Sequence, residues 1–402
     1  MKKFVCENPW THFEVNNPNG DVTMCCDNAT VLGNVNDDTI EGVWNGDGYR
    51  TMRKRMRNEG AHAFCPHTCP VLQGGKRYQN LDWFAELAGD SPARLNAEKN
   101  EKEFAEGAVD LQSLPRWMRF AYSYACNLDC YHCYQRDDAL LRAKLPPSFM
   151  TRLTELAPTY QVVLPFGGEP FLYRPVLDFI EDDPLSSGCK YFFITNATLF
   201  TERVKESLAT KELLGMAVSL DAATEKSFDI LRLRGRTASW DDVLDSLAWL
   251  CELNKKKDFE FSISMTLNSV NHDEIERFVD LGLGFDAEPD ILLVANPDQT
   301  LAFQKEFLHF TDAQFDEMFA QIERALVKVR ERGFKDAETS LDILRNTLIL
   351  HRRADNNLAV FTAKNYARSA LRRLPENMQD PIRKAVQSVR ASMLENATAA
   401  KG

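Results

Sequence analysis

No stretch of this sequence approaches the roughly 18 consecutive apolar residues that a membrane-spanning helix needs. The basic start, Met1 to Lys3, is not followed by the apolar segment of a secretory signal. We therefore expect a cytoplasmic protein that neither crosses nor binds a membrane.

An excess of positive charge is also lacking. The net charge of -11 and the pI near 5.3 argue against general binding to nucleic acid or anionic membranes, because both partners need a basic surface. The densest basic run contains Arg53, Lys54, Arg55 and Arg57, and we interpret it as a solvent-exposed helix face. A composition of 44% hydrophobic and 27% charged residues is typical of a globular protein.

Cysteine is present in an informative pattern. Ten cysteines without a predicted export signal fit a reducing compartment, where clustered cysteines bind metal more often than they form disulfides. Cys126, Cys130 and Cys133 form a C-x3-C-x2-C run with no obvious fourth ligand nearby. A structural zinc site closes around four protein ligands. An iron-sulfur cluster held by three thiolates instead leaves one iron open to a substrate or cosubstrate.

Between residues 116 and 300, β-rich runs alternate with amphipathic helical patterns, which is typical of parallel βα units. The predicted strands are 118–124, 161–166, 190–195, 215–220, 259–267 and 290–295. The predicted helices between them are 147–157, 173–181, 201–209, 240–254 and 272–281. Six strands are too few for an eight-fold barrel, so we predict an α/β fold with an open, partial (β/α)6 TIM-like barrel.

Three further regions flank this barrel. Residues 1–75 form a cysteine-rich domain, 76–115 a helix-leaning connector, and 301–402 a region in which only helices are predicted. The amphipathic stretches of the last region lie near 312–332, 339–352 and 379–396.

Polar and glycine-rich residues follow the predicted barrel strands. In βα barrels the loops at the carboxyl ends of the strands build the active site. Besides the three cysteines, the residues at these ends are Gly167, Gly168, Glu169, Asn196, Ser219, Asp221 and Asn268. Two adjacent glycines let the backbone approach a ligand closely, and the Glu169 carboxylate offers an acceptor to an ammonium group. One mouth of the barrel is expected to collect them all.

The cysteine run, with the ring of His132 directly before the third cysteine, resembles the cluster motif of the radical S-adenosylmethionine (radical SAM) superfamily. Phe, Tyr or Trp is more usual at that place, so His132 is a departure. The segment Gly167–Pro170 resembles the superfamily's segment that binds the amino group of SAM.

Three later segments add to this resemblance. Residues 218–224 look like the superfamily's fourth-strand segment, which implies that Ser219 and Asp221 lie near SAM. Asn196 lies in a segment similar to Thr-Asn-Gly, with alanine in place of the glycine. Residues 231–235 resemble an arginine-bearing segment, which implies that Arg232 or Arg234 contacts a carboxylate of SAM.

The resemblance implies both cofactors and an activity. Cys126, Cys130 and Cys133 would hold a 4Fe-4S cluster whose open iron chelates the amino and carboxylate groups of SAM. One electron, from a donor such as flavodoxin or ferredoxin, would cleave SAM to methionine and a 5'-deoxyadenosyl radical. That radical would abstract a hydrogen atom from the substrate.

The N-terminal cysteines carry a second resemblance. The C-x13-G-x4-C spacing from Cys6 to Cys25, with Cys65 and Cys69 further on, resembles the pattern of SPASM domains, which bind auxiliary clusters. SPASM domains usually follow the barrel and have seven cysteines, whereas this segment precedes it and has five. We expect one auxiliary 4Fe-4S cluster on these four cysteines, with Cys26 spare. The alternative is a zinc site of four cysteines, or of cysteines with His62 or His67.

Proteins with such domains most often modify ribosomally made peptides or proteins by cross-linking, epimerisation or oxidation, so a peptide is the first expected substrate. The second is a small molecule, such as a sugar, aminocyclitol or nucleoside, that is oxidised or rearranged. A non-catalytic iron-sulfur or zinc module that carries electrons is the alternative from another class.

These assignments predict the iron content of the anaerobically reconstituted protein. Two four-iron clusters amount to about eight irons per chain. Iron and zinc analysis by mass spectrometry measures both. About four irons with one zinc would support the zinc alternative for the N-terminal cysteines.

Overall fold

The computed structural model describes residues 4–25, 28–65, 69, 72, 81–133, 135, 138–233, 238–294 and 306–353. Within these ranges nine strands form one sheet. They are β1 His12–Val15, β2 Asp21–Cys25, β3 Asn28–Asn34, β4 Trp117–Ala121, β5 Val162–Phe166, β6 Lys190–Thr195, β7 Leu213–Ser219, β8 Glu260–Leu267 and β9 Glu288–Leu293. Their order across the sheet is β3-β2-β1-β4-β5-β6-β7-β8-β9.

Helices connect these strands and extend the chain beyond them. They are α1 Asn8–Thr11, α2 Ile40–Trp44, α3 Asp47–Glu59, α4 Pro92–Glu106, α5 Asp138–Arg142, α6 Pro147–Leu156, α7 Arg174–Asp182, α8 Glu202–Thr210, α9 Glu225–Phe228, α10 Trp240–Lys257, α11 Ile275–Gly284, α12 Asp312–Arg332 and α13 Lys335–Arg353. Strands β4 to β9 are parallel neighbours in chain order, which confirms the predicted partial barrel.

Side-chain chemistry sets the boundaries of several helices. The Thr201 hydroxyl accepts from the amide of Val204 and starts α8. Ser239 and Asp242 form a capping box at the start of α10, which satisfies two amides that have no partner inside the helix. Each of these caps lies between a strand of the sheet and the helix that follows it. Residues close in sequence therefore determine where each helix begins.

The two faces of the sheet differ in polarity. On β8, Phe261, Ile263 and Met265 are buried and belong to the apolar core beneath the helices. The residues between them, Ser262 and Ser264, are only partly buried on the opposite face. This period of two follows from the pleat of a strand. The outer face therefore anchors the helices, and the inner face lines the barrel.

The cysteine-rich N-terminal segment belongs to the same sheet. Strand β1 pairs in parallel with β4, and β2 and β3 add to it in antiparallel fashion. The Arg119 guanidinium on β4 donates to Glu14 at 3.1 Å and to Asn16 at 2.9 Å. The six strands predicted for the barrel are thus joined by three that were not predicted. The sheet therefore contains strands that precede and strands that follow the connector 76–115 in the sequence.

One basic run was wrongly interpreted from the sequence. Lys54 and Arg55 are exposed on α3, but Arg53 is fully buried. Its guanidinium donates to the carbonyl oxygens of Pro9 at 2.9 Å and Val109 at 2.9 Å, and burial lowers its pKa to about 10. Arg53 therefore anchors α3 to the start of the chain and to the connector, and only part of the run is a solvated face.

The C-terminal helices cover the last strand of the sheet. The Ser340 hydroxyl of α13 donates to Asp290 at 2.6 Å and accepts from the amide of Ile291 at 3.0 Å. An uncovered edge strand would expose such amides to pairing with other chains. The predicted helices 312–332 and 339–352 are confirmed, and 379–396 lies outside the described residues. None of the helices in the described part of the chain is long and apolar enough to span a membrane.

Candidate cluster and cofactor site

The three cysteines follow β4, at the carboxyl end of the barrel strands. The amide of Leu128 donates to the Cys126 sulfur at 3.4 Å, and the amide of Cys133 donates to the Cys130 carbonyl at 3.2 Å. Burial raises the pKa of Cys126 to about 11 and that of Cys130 to about 12. Because metal ligands must be thiolates, cluster binding here would release protons. Among the described side chains, no three of His, Cys, Asp or Glu already form a metal-ligating group.

Two glycines bring the end of β5 against the cysteine loop. A Cβ atom on Gly168 would lie 2.0 Å from the Ala125 carbonyl oxygen, and one on Gly167 would lie 2.3 Å from the Ser123 carbonyl oxygen. Gly167 also has a φ of 135°, which residues with a side chain rarely adopt. Only glycine fits at these two positions, so the Gly-Gly pair brings the predicted SAM segment directly beside the cysteine loop.

Glu169 is fully buried and bonded to protein donors. Its carboxylate accepts from the amide of Phe171 at 3.3 Å, the Thr195 hydroxyl at 2.8 Å and the amide of Asn196 at 2.8 Å. Burial raises its pKa to about 7, although these hydrogen bonds oppose the shift. The carboxylate thereby ties the end of β5 to the end of β6. Its role as an acceptor for the ammonium group of SAM stays a prediction.

Asn196 reaches the first cysteine. Its side-chain amide donates to the Cys126 sulfur at 3.6 Å and to Asn127 at 3.0 Å. The next residue, Ala197, has a φ of 57°, the left-handed conformation that glycine adopts more readily. The alanine in place of the usual glycine has therefore kept the backbone geometry of a glycine position.

A buried carboxylate connects the cysteine loop to the end of β7. Asp221 accepts from Arg232 at 2.5 Å and lies 3.3 Å from Nε2 of His132. Its second oxygen accepts from the amide of Thr266 at 2.7 Å. Burial raises the pKa of this carboxyl, but the interactions with the His132 ring and the Arg232 guanidinium outweigh burial and hold the pKa well below its usual range. His132, the residue that departs from the usual motif, is thus the partner of a predicted site residue.

Arg232 lies in a π-helical turn, Asp229–Leu233, and such turns are frequent at functional sites. One terminal nitrogen bonds Asp221, and the other donates to the Ser219 carbonyl at 2.8 Å. Its Nε and the Nδ1 of His132 are buried without a hydrogen-bond partner among the described residues. Buried polar atoms without partners are costly, so these two fit a site that receives a ligand. Arg234 lies outside the described residues.

The remaining predicted residues have different surroundings. Ser219 is partly exposed at the carboxyl end of β7, and its contact with SAM stays a prediction. Asn268 is fully buried, and its side chain bonds the Thr266 carbonyl at 3.0 Å and the amide of Val270 at 2.8 Å. Asn268 therefore shapes the turn after β8.

The N-terminal cysteines lie partly inside the protein. Cys6, Cys25 and Cys69 are buried and Cys65 is half-buried, while Cys26 is outside the described residues. The backbone amide of Cys6 donates to a methionine sulfur at 3.4 Å. Four thiol donors suit an iron-sulfur cluster or zinc equally well by ligand type.

Comparison with protein families identifies both regions. The family model of the radical SAM superfamily matches residues 121–282. Residues 121–282 are therefore similar to a radical SAM domain. The SPASM model, an iron-sulfur cluster-binding domain, matches residues 6–70. The auxiliary-cluster domain therefore precedes the radical SAM domain in the sequence, as the cysteine spacing predicted.

Several proteins of named function are similar to parts of the chain. The AdoMet-dependent heme synthase of Methanosarcina barkeri is 27% identical over 180 residues, which is 43% of this chain and 48% of the relative. The GTP 3',8-cyclase of Chlorobaculum tepidum is 26% identical over 41% of this chain and 49% of the relative. The mycofactocin maturase MftC of Mycobacterium ulcerans is 27% identical over 53% of this chain and 57% of the relative. The chain thus spans about half the length of these relatives.

Solved structures with a similar fold include the Streptococcus suis SuiB bound to precursor peptide SuiA. It is 16% identical, covers 73% of this chain and 62% of its own, and has a TM-score of 0.42. Native anSMEcpe with bound AdoMet is 14% identical. The match covers 54% of this chain and 61% of that protein, with a TM-score of 0.41.

The two matched domains account for the predicted cofactors. A radical SAM domain binds SAM and a 4Fe-4S cluster, and a SPASM domain binds an auxiliary iron-sulfur cluster. The three thiols after β4, the glycine pair and the two buried nitrogen atoms without partners fit the first pair of cofactors.

The glycine pair generates a test. The Gly168→Ala protein is expected to lose the cluster of Cys126, Cys130 and Cys133, because the new Cβ would displace the loop backbone at Ala125. About four of about eight irons would remain after anaerobic reconstitution. The control is Gly89→Ala, since a Cβ at Gly89 meets nothing within 4 Å. Full iron content in both variants would contradict the close approach.

Proposed function

We propose that this chain is a radical SAM enzyme that cleaves SAM reductively and removes a hydrogen atom from a substrate at the barrel mouth. The observation that carries the proposal is the meeting of three cysteines with Gly168, Asn196 and the Asp221–Arg232 pair at one end of the barrel. Residues far apart in sequence converge there, at the end of βα barrels where active sites lie.

Cys126, Cys130 and Cys133 are proposed to hold the first cluster, and the side chain of Asn196 donates to the first of these sulfurs. Hydrogen bonds to sulfur ligands tune the reduction potential of a cluster. When bound, the reduced cluster supplies the electron that cleaves SAM to methionine and the 5'-deoxyadenosyl radical. Strand ends and turns hold the protein groups in position for that chemistry.

The SAM-binding residues are proposed to act in different ways. Gly167 and Gly168 let the backbone lie close to the cysteine loop, and Glu169 sets the position of Asn196 through its amide. Two of the five N–H donors of Arg232 bond Asp221 and the Ser219 carbonyl, so Nε and one N–H on each terminal nitrogen would be left for a carboxylate. Arg234 is retained as the alternative.

Ser219 and Asp221 complete the proposed pocket. The partly exposed hydroxyl of Ser219 is available to a ligand, whereas both Asp221 oxygens are bonded to the protein. Asp221 is therefore proposed to position Arg232 and His132 rather than to contact SAM itself. In a buried site, a carboxylate with two oxygens satisfied keeps its neighbours in one arrangement.

The auxiliary cluster is proposed to bind Cys6, Cys25, Cys65 and Cys69. With four cysteine ligands no iron would be open, so this cluster would relay electrons rather than bind substrate. The pairing of β1 with β4 supports such a relay, because it joins the N-terminal domain directly to the barrel. The external electron donor is proposed to be a flavodoxin or ferredoxin.

A ribosomally made peptide or protein is the proposed substrate. Of the three relatives described above, the maturase MftC is similar over the largest share of this chain, 53%. Its name describes the maturation of mycofactocin, and SPASM domains occur most often in enzymes that modify peptides. The reaction would be a cross-link, an epimerisation or an oxidation.

A small-molecule substrate is the second candidate. The names of two other relatives, a heme synthase and a GTP cyclase, describe chemistry on small molecules. Their similarity covers 43% and 41% of this chain. Oxidation or rearrangement of a sugar, aminocyclitol or nucleoside remains the corresponding reaction.

The proposed activity is tested without knowing the substrate. Anaerobically reconstituted protein with dithionite and SAM is expected to release 5'-deoxyadenosine, measured by chromatography and mass spectrometry. Cys130→Ala should abolish release by removing a cluster ligand, whereas Cys251→Ala, a half-buried cysteine on α10, should not. Absence of 5'-deoxyadenosine from the fully loaded wild-type protein would favour the electron-carrier alternative.

The substrate class is tested by co-expression. If a short peptide gene lies beside the gene for this chain, the peptide is expected to change mass when expressed with the wild-type protein. Tandem mass spectrometry would locate the change. Expression with Cys130→Ala is the control. An unmodified peptide, together with active SAM cleavage, would favour a small-molecule substrate.

A further inference from the structure

A short segment of the C-terminal region, Glu306–Phe310, lies against the loop after β8. The amide of Ser269 donates to the Phe307 carbonyl at 2.8 Å, and the Ser269 hydroxyl donates to the Glu306 carbonyl at 2.5 Å. We call residues 306–310 the strap. Both bonds involve backbone atoms of the strap, so its path is defined by the end of the barrel strand.

The strap is also joined to the C-terminal helices. The Leu308 carbonyl lies 2.7 Å from Nε2 of His351, which is buried on α13. The ring of Phe310 packs edge-on against Phe315 of α12, with 5.5 Å between the ring centroids. A movement of α12 or α13 would therefore shift the strap.

On its other side the strap contacts the cysteine loop. The Phe307 ring packs edge-on against Tyr131, with 4.7 Å between centroids and 64° between planes, and the Tyr131 hydroxyl donates to the Glu306 carboxylate. Phe307 is only 2% exposed. Tyr131 follows Cys130 directly, and its amide donates to the Leu231 carbonyl at 2.8 Å. The loop between the second and third cysteines is thus held from two sides.

We propose that the strap seals the cysteine loop against solvent and thereby sets the iron retention and reduction potential of the first cluster. The proposal rests on the assignment of that cluster to Cys126, Cys130 and Cys133. Phe307 and Glu306 act as positioning residues, because they act on the cysteine loop through Tyr131. The C-terminal helices then influence the cluster without contributing a ligand.

The direction of the effect follows from solvation. Solvent exposure is one of the factors that set the potential of an iron-sulfur cluster. Water stabilises the more negatively charged, reduced form, so an opened strap raises the potential. Opening also admits chelators to the irons. An aromatic pair stabilises the closed state enough that its loss shifts a local opening equilibrium by roughly twofold to tenfold.

The test compares reconstituted Phe307→Ala with wild-type protein. Iron loss to excess EDTA is followed anaerobically by absorbance, and the potential is measured by redox titration. The Cys130→Ala substitution is also made in the wild type and in Phe307→Ala, so that only the auxiliary cluster remains. The absorbance and titration curves of these proteins are subtracted from those of their parents. Iron release from the first cluster is expected to be roughly twofold to tenfold faster, with a more positive potential. Tyr131→Phe, which removes only the hydroxyl bond to Glu306, should show a smaller change in the same direction.

The matched control is Leu326→Ala. Leu326 is fully buried on α12, but it lies eleven residues, about 16 Å along the helix, beyond Phe315. This variant also removes a buried side chain from the C-terminal region, and its cluster should behave as in the wild type. The proposal is overturned if Phe307→Ala leaves iron release and potential unchanged, or if Leu326→Ala changes them equally. Iron content of the wild type separately tests whether the first cluster forms.

Discussion

The Asp221 carboxylate is the interaction on which the arrangement of the site depends. A buried charge is tolerated only when it is paired and hydrogen-bonded. Asp221 meets this requirement with Arg232 of the π-helical turn, His132 of the cysteine loop and the amide of Thr266 on β8. Three chain segments must therefore meet at one point for the carboxylate to be satisfied. Without it, the cysteine loop would lose its link through His132 to Arg232 and to the amide of Thr266 on β8.

All three regions of the chain contribute to the surroundings of the cysteine loop. The N-terminal domain joins the barrel through the pairing of β1 with β4, the strand that leads into the loop. The C-terminal region contacts the loop through Phe307 and Tyr131. The N-terminal domain therefore pairs with the strand that leads into the loop, and the C-terminal region contacts the loop itself. The order of domains along the chain, with SPASM first, does not prevent that arrangement.

Local patterns made much of the fold predictable. Hydrophobic runs and their periodicity placed the six barrel strands and most helices within a few residues, and the cysteine spacing identified both cluster-binding regions. The missed features depend on contacts between distant segments. The pairing of β1 with β4, the burial of Arg53 and the contact of His132 with Asp221 carry no periodic signal. The Asn16–Gly20 turn between two short apolar runs was a hairpin signal that could have predicted β1 and β2.

We propose that the cluster on Cys126, Cys130 and Cys133 has one iron open to SAM. Electron-nuclear double resonance on the dithionite-reduced protein, with SAM labelled by 15N at its amino group, tests it most directly. Coordination of that nitrogen to iron predicts a 15N hyperfine coupling that is present in the wild type and absent from Cys130→Ala. A reduced first cluster that shows no 15N coupling with saturating SAM would contradict the account.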